Sequence, residues 1–131
     1  MSFQASVRQT DGVSIVDFVG RITLGDESDL LRDTLNREME RGHKKILLNL
    51  REVTYCDSAG LGELVGCYTA ITRRGGALKL LDVPRKVRDI LQVTRLDGLF
   101  ELCSDEAAAV KSFGTTNPTR MAKLIAQFRK S

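Results

Sequence analysis

Residues 55 to 64 read Tyr-Cys-Asp-Ser-Ala-Gly-Leu-Gly-Glu-Leu, and the parsing of this stretch decides the fold. Ahead of it runs Ile46-Leu47-Leu48-Asn49-Leu50, short and nearly all apolar, as expected of a strand covered on both faces. Behind it Leu61, Leu64, Val65 and Tyr68 recur at helical spacing, and the pattern stops near Arg73-Arg74-Gly75-Gly76. The chain therefore leaves a buried strand, turns at Asp57-Ser58 and enters a helix. That places Ser58 near the N-cap, where a hydroxyl accepts a hydrogen bond from an otherwise unpaired N–H. A helix N-terminus also favours negative charge. Gly60 and Gly62 leave the first turn without bulk, open to a phosphate or to the backbone of a partner.

Outward from this unit the pattern alternates. Phe3, Ala5 and Val7 alternate with Gln4, Ser6 and Arg8, the period of a half-buried strand. Asp11-Gly12 is a two-residue hairpin turn, and Val13 to Val19 is the returning strand. Asp26 to Arg41 carries Leu30, Leu31, Leu35 and Met39 at helical spacing, with acids at its start and Arg41-Gly42 at its end, as dipole and C-cap require. Ala77 to Leu81 is a further apolar strand. Pro84 opens a short helix at its first position, with Val87, Ile90 and Leu91 inward. Leu99 to Leu102 suits a brief edge strand, and Ser104-Asp105-Glu106 starts a last helix running to Phe113. A hairpin followed by alternating strands and helices predicts one α/β domain: a mixed sheet packed with about four helices, with right-handed crossovers in its parallel part. Periodicity leaves open whether the helices cover one face or both.

At 131 residues, 42% hydrophobic and 28% charged, the chain has the composition of one globular domain. No apolar run approaches the ~20 residues that span a bilayer. Met-Ser-Phe-Gln-Ala-Ser has neither a basic start nor an apolar signal core, so the expected site of action is the cytoplasm, with no membrane partner. The formal charge of +3 is unevenly placed. Four of the 20 Lys and Arg, and none of the 17 acids, fall in residues 114–131, so the body is close to neutral. That pattern gives no support to direct nucleic-acid binding, which calls for a basic stripe with readable motifs.

The chemistry of the turn has several candidates. A hydrolase-type serine needs flanking glycines at fixed offsets and a histidine base. The single histidine, His43, lies in a polar turn before the strand, at the end away from Ser58, which argues against a catalytic triad. No Gly-Lys-Ser/Thr follows the glycines, so the loop is not a P-loop. Cys56, Cys67 and Cys103 fit neither a metal-ligand spacing nor a disulfide framework and read as reduced thiols. Cys56 beside Asp57-Ser58 invites a reactive-thiol reading, against which stands the usual behaviour of free cysteine as a small buried hydrophobe. No metal or catalytic residue is assigned. A plain helix cap and a phosphorylation switch both remain.

Asp57-Ser58-Ala59-Gly60-Leu61-Gly62, preceded by Leu47-Leu48-Asn49-Leu50 and Val53-Thr54-Tyr55, resembles the signature of STAS domains, and among them the bacterial anti-anti-sigma factors. The similarity runs over about residues 3 to 113 and includes Gly20-Arg21-Ile22, Gly75-Gly76 before a strand, and Val87, Leu91 and Leu96. The resemblance implies that Ser58 is phosphorylated by an anti-sigma factor that is itself a serine kinase. The unphosphorylated protein would bind that kinase and free a sigma factor, and a PP2C-type phosphatase would restore the binding form. No cofactor is implied, since the ATP belongs to the kinase. The implied partner surface comprises Asp57, Ser58, Ala59, Gly60, Gly62, Glu63 and Gly66 with Thr23 and Asp26. The chain departs from the pattern at Thr23, where many relatives carry an acid; Asp26 follows three residues later. A STAS subunit of another assembly, a stressosome-like scaffold or a lipid-transport complex, is the alternative that the same resemblance allows.

Two features lie apart from the signature. On the helix after Ser58, Gly62, Gly66, Thr69 and Arg73 fall opposite the apolar stripe, a face that suits close approach of another backbone. The organisation predicted is therefore a STAS domain over 1–113 and a basic amphipathic tail over 114–131. In the tail, Asn117-Pro118 opens a helical pattern with Met121, Leu124, Ile125 and Phe128 on one stripe. A lone helix of that length is marginal in water, so the stripe calls for a surface: the domain itself, a second copy in a homodimer, the partner or, ranked last for its few bases and slight apolar face, a membrane.

Overall fold

A computed structural model describes residues 3–114 of the chain. The predicted tail helix, residues 115–131, lies outside the described residues. The element order is β1 (Gln4–Thr10), β2 (Val13–Ile22), α1 (Asp26–Glu40), β3 (Lys45–Cys56), α2 (Ser58–Arg73), β4 (Ala77–Leu81), α3 (Arg85–Val93), β5 (Leu102–Cys103) and α4 (Glu106–Ser112). The strands form one sheet in the order β1-β2-β3-β4-β5. The hairpin β1–β2 is antiparallel and every other neighbour is parallel. The hairpin closes through Asp11 and Gly12, both at positive φ (48° and 80°), as its two-residue turn demands.

Helices cover both faces. On one face Leu31 and Leu35 of α1, Leu61 and Leu64 of α2, and Val87 and Leu91 of α3 bury Ile46, Leu48 and Leu50 of β3. On the other, Ala109 and Val110 of α4, with Phe113, cover Val13, Ile15, Leu47 and Leu81. Alternate residues of β3 thus enter different cores, which is why its sequence reads as a continuous apolar run. α4 is further tied down by polar contacts. Arg8 reaches both Asp17 (2.6 Å) and Glu106 (2.9 Å). Lys79, buried in the otherwise apolar β4, places its ammonium 2.6 Å from Glu101 and 4.6 Å from the Phe113 ring centre.

Four expectations are corrected. β1 is an edge strand in which Val7 is exposed, because α1 shields only part of that edge. β3 is far longer than its apolar run, extending to Cys56 by pairing with β2 through two register shifts along the mixed segment Arg51 to Tyr55, in which only Val53 is buried. Pro84 is the N-cap of α3, in extended conformation, with the helix beginning at Arg85. The expected strand Leu99 to Leu102 reduces to the two residues Leu102–Cys103, because Phe100 is drawn into the main core, edge-on to Tyr68 at 5.3 Å.

Candidate functional site

The Asp57-Ser58 turn sits where β3 ends and α2 begins. The capping residue is Asp57, not Ser58. Asp57 is extended (φ −104°, ψ −176°), and its Oδ1 accepts the Gly60 N–H at 2.8 Å while its carbonyl accepts the Leu61 N–H at 2.8 Å. Ser58 is the first helical residue, exposed, and its hydroxyl makes no hydrogen bond among the described residues. The two neighbouring residues are both strong N-cap formers, so the sequence pattern alone does not rank them.

Gly60 explains the rigidity of the turn. A Cβ placed there would fall 1.7 Å from the carbonyl oxygen of Ile22 and 2.5 Å from its carbon. The first turn of α2 therefore rests directly on the end of β2, which pairs with β3 there through Ile22 and Cys56. This contact brings Thr23 and Asp26 to the same end of the sheet as Ser58. Thr23 is half-buried, its carbonyl accepting the Ser28 hydroxyl, and Asp26 is exposed at the start of α1. Ala59, Gly62 and Gly66 are exposed, and a Cβ at either glycine would meet nothing within 4 Å.

Two expected surface residues have other roles. Gly60 is buried against Ile22, so it shapes the turn rather than facing a partner. Glu63 keeps only 19% of its side chain exposed and bridges the helices, accepting Arg32 Nη1 at 3.2 Å while Arg32 also holds Asp29 at 2.8 Å. Two exposed residues beside the turn are not marked by the sequence pattern: Leu24, 82% exposed in the β2–α1 loop, and Tyr55, 50% exposed on β3 just before the turn. Leu24 carries no periodic signal because it lies outside any element. Tyr55 lies within the motif itself, where nothing local distinguishes an exposed aromatic from a buried one.

The competing chemistries fare poorly in this geometry. His43 and Ser58 flank opposite ends of the 12-residue β3. His43 is instead engaged with Glu38, Nδ1 to Oε1 at 2.9 Å, where Ser14 Oγ also donates at 2.7 Å. Burial, and then the charge of Asp57, push the Cys56 thiol up to about 11; burial and Glu63 push Cys67 up to about 12. Both thiols stay protonated near neutrality, which removes the nucleophilic form. Among the described residues no helix is long and apolar enough to cross a membrane.

A mixed five-stranded sheet with an N-terminal hairpin, helices on both faces and a serine at the mouth of the helix after β3 is the architecture of a STAS domain. The chain belongs to that family: the STAS domain model matches residues 4–109. It is 28% identical over 111 residues to the anti-sigma F factor antagonist of Paenibacillus polymyxa, covering 84% of this chain and 94% of that one. It is 26% identical to the anti-sigma-B factor antagonist of Bacillus subtilis strain 168, covering 85% of this chain and all of the relative. In fold it is similar to the phosphorylated form of the Bacillus cell fate determinant SpoIIAA, with a TM-score of 0.64 at 20% identity over 84% of this chain and 97% of that one.

Proposed function

We propose that the chain is an anti-sigma factor antagonist whose switch is Ser58. In its unphosphorylated form it binds an anti-sigma factor that is itself a serine kinase, and a sigma factor is released. The observation that carries this reading is the division of labour at the turn: Asp57 caps α2, which leaves the exposed Ser58 hydroxyl uncommitted. In the transfer, Ser58 Oγ attacks the γ-phosphorus of ATP held by the kinase. The new Oγ–P bond replaces the bond to the β-phosphate oxygen, ADP leaves, and the serine proton passes to a base of the kinase. A PP2C-type phosphatase reverses the change by hydrolysing the phosphoserine. In this reading the chain is a substrate and binding module, acting in the cytoplasm.

Phosphorylation adds about −1.5 to −2 charge and three acceptor oxygens at one surface point. A helix N-terminus tolerates that charge. A docked partner that presents a carboxylate or an apolar patch does not, so binding ends through repulsion and sterics with little refolding. The docking surface supported by exposure is Ser58, Ala59, Gly62 and Gly66 on α2, flanked by Leu24, Tyr55 and Asp26. The test is capture of the binding partner on the Ser58→Ala protein, followed by incubation of the wild-type chain with that partner and radiolabelled ATP. Stoichiometric label at Ser58 and loss of the complex are the expected results. A stable complex with no transfer to Ser58 overturns the switch and favours a STAS subunit of another assembly.

A further inference from the structure

The Asp57-Ser58 pair places two cap-competent side chains at adjacent positions, and only one of them can cap α2 in a given register. Asp57 holds that role through Gly60, and Gly60 packs so closely on the Ile22 carbonyl that no side chain fits between them. The Gly60 N–H donates to one acceptor, the Asp57 carboxylate at 2.8 Å. We infer that Asp57 is a positioning residue for phosphotransfer: by occupying the Gly60 N–H it keeps Ser58 out of the cap and its hydroxyl free on the surface. The inference deepens the Ser58 switch and rests on that reading for its kinetic part.

The physical consequence is a competition. Without a capping side chain at 57, Ser58 is the next residue able to cap, and its oxygen turns toward the Gly60 N–H that Asp57 has given up, while the Leu61 N–H stays with the carbonyl of residue 57. The nucleophile is then sequestered for part of the time. A serine cap worth about 1 kcal/mol holds the hydroxyl inward roughly five times as often as outward. Asn caps as well as Asp, so Asp57→Asn removes the charge and keeps the bond.

Two measurements decide the matter. In a double-mutant cycle read by urea unfolding, Ser58→Ala leaves the unfolding equilibrium of the wild type nearly unchanged. In an Asp57→Ala background, where Ser58 has become the cap, the same change shifts that equilibrium about fivefold toward the unfolded state. An additive cycle overturns the inference. With the captured kinase and ATP, Asp57→Ala lowers kcat/KM for transfer to Ser58 about fivefold and Asp57→Asn restores it. Equal rates for Asp57→Ala and wild type overturn the inference alone, as does a loss in Asp57→Asn as deep as that in Asp57→Ala. A wild-type chain that takes no phosphate overturns the switch reading, and the unfolding cycle still decides the competition for the cap.

Discussion

Three glycines of one helix give a prediction whose sign changes between neighbouring turns. At Gly60 a methyl group would lie 1.7 Å from the Ile22 oxygen and 2.5 Å from the Ile22 carbonyl carbon, and both are backbone atoms of a paired strand. An ordinary carbon–oxygen contact needs about 3.4 Å, so α2 must lift by roughly 1.5 Å at its first turn. Lifting it loosens the packing of Leu61 and Leu64, which are 4% and 0% exposed. Overpacking of this kind costs about 1–3 kcal/mol, more where backbone must move, while the better helix propensity of alanine returns about 1 kcal/mol. Because the blocking atoms are backbone, the upper end of that cost applies, and the net expectation for Gly60→Ala is a destabilisation of about 2 kcal/mol. At Gly62 and Gly66 nothing lies within 4 Å, so Gly62→Ala and Gly66→Ala each gain about 0.5–1 kcal/mol. Urea unfolding followed by far-UV circular dichroism, with all variants at equal m-value, measures the differences. A Gly60→Ala protein as stable as the wild type would show that α2 does not rest on β2 at this point, and the account of the rigid turn would fall with it.

The remaining expectations concern the docking face and acid stability. Leu24→Asp and Gly66→Gln should each weaken binding of the partner captured on the Ser58→Ala protein by tenfold or more, with unfolding midpoints close to wild type, because both positions are exposed and make no core contact. Unchanged affinity by calorimetric titration in both would remove this face from the interface. Acid should destabilise the domain through Asp17 and Glu38. Hydrogen bonding from Arg8 holds the Asp17 carboxyl below its usual value of 3.8. Burial opposes the charge on Glu38, but hydrogen bonds from His43 and Ser14 outweigh it and hold that carboxyl below 4.5. With folded values below unfolded ones, both contributions are complete above about pH 4.5 and are lost as pH falls through the folded values. Arg8→Gln should shift the acid-unfolding midpoint upward, and an unchanged midpoint would show that the Arg8–Asp17 contact carries no pH-dependent stability.

The fold was legible where periodicity and turn chemistry agree. The Asp11-Gly12 hairpin, the strand–turn–helix unit at Asp57-Ser58 and the apolar strand Ala77–Leu81 all fall where the residues place them. Elements that depend on tertiary contact were not legible. The second half of β3 mixes polar residues with the buried Val53 and Cys56 and has no strict alternation, and it is a strand because β2 pairs with it through two irregular steps that no local pattern announces. The segment after Leu99 looked like a strand because Phe100 is apolar, yet that side chain is used to fill the core against Tyr68.

The site shows the same division at finer scale. Residue types at the turn announced a cap, an exposed serine and close packing, but not which residue does which. Sequence spacing treats Gly60 and Gly62 alike, as small residues that open the first turn. In the fold one of them is pressed into Ile22 and the other faces open space. Capping by Ser58 and phosphorylation of Ser58 likewise read as compatible in sequence, yet they compete for one oxygen. The Asp57 carboxylate 2.8 Å from the Gly60 nitrogen settles that competition in the resting protein. With Asp57 as the cap, the hydroxyl of Ser58 is not needed to hold the helix, and the phosphoryl group of the proposed switch would be added or removed there without taking apart the helix that displays it.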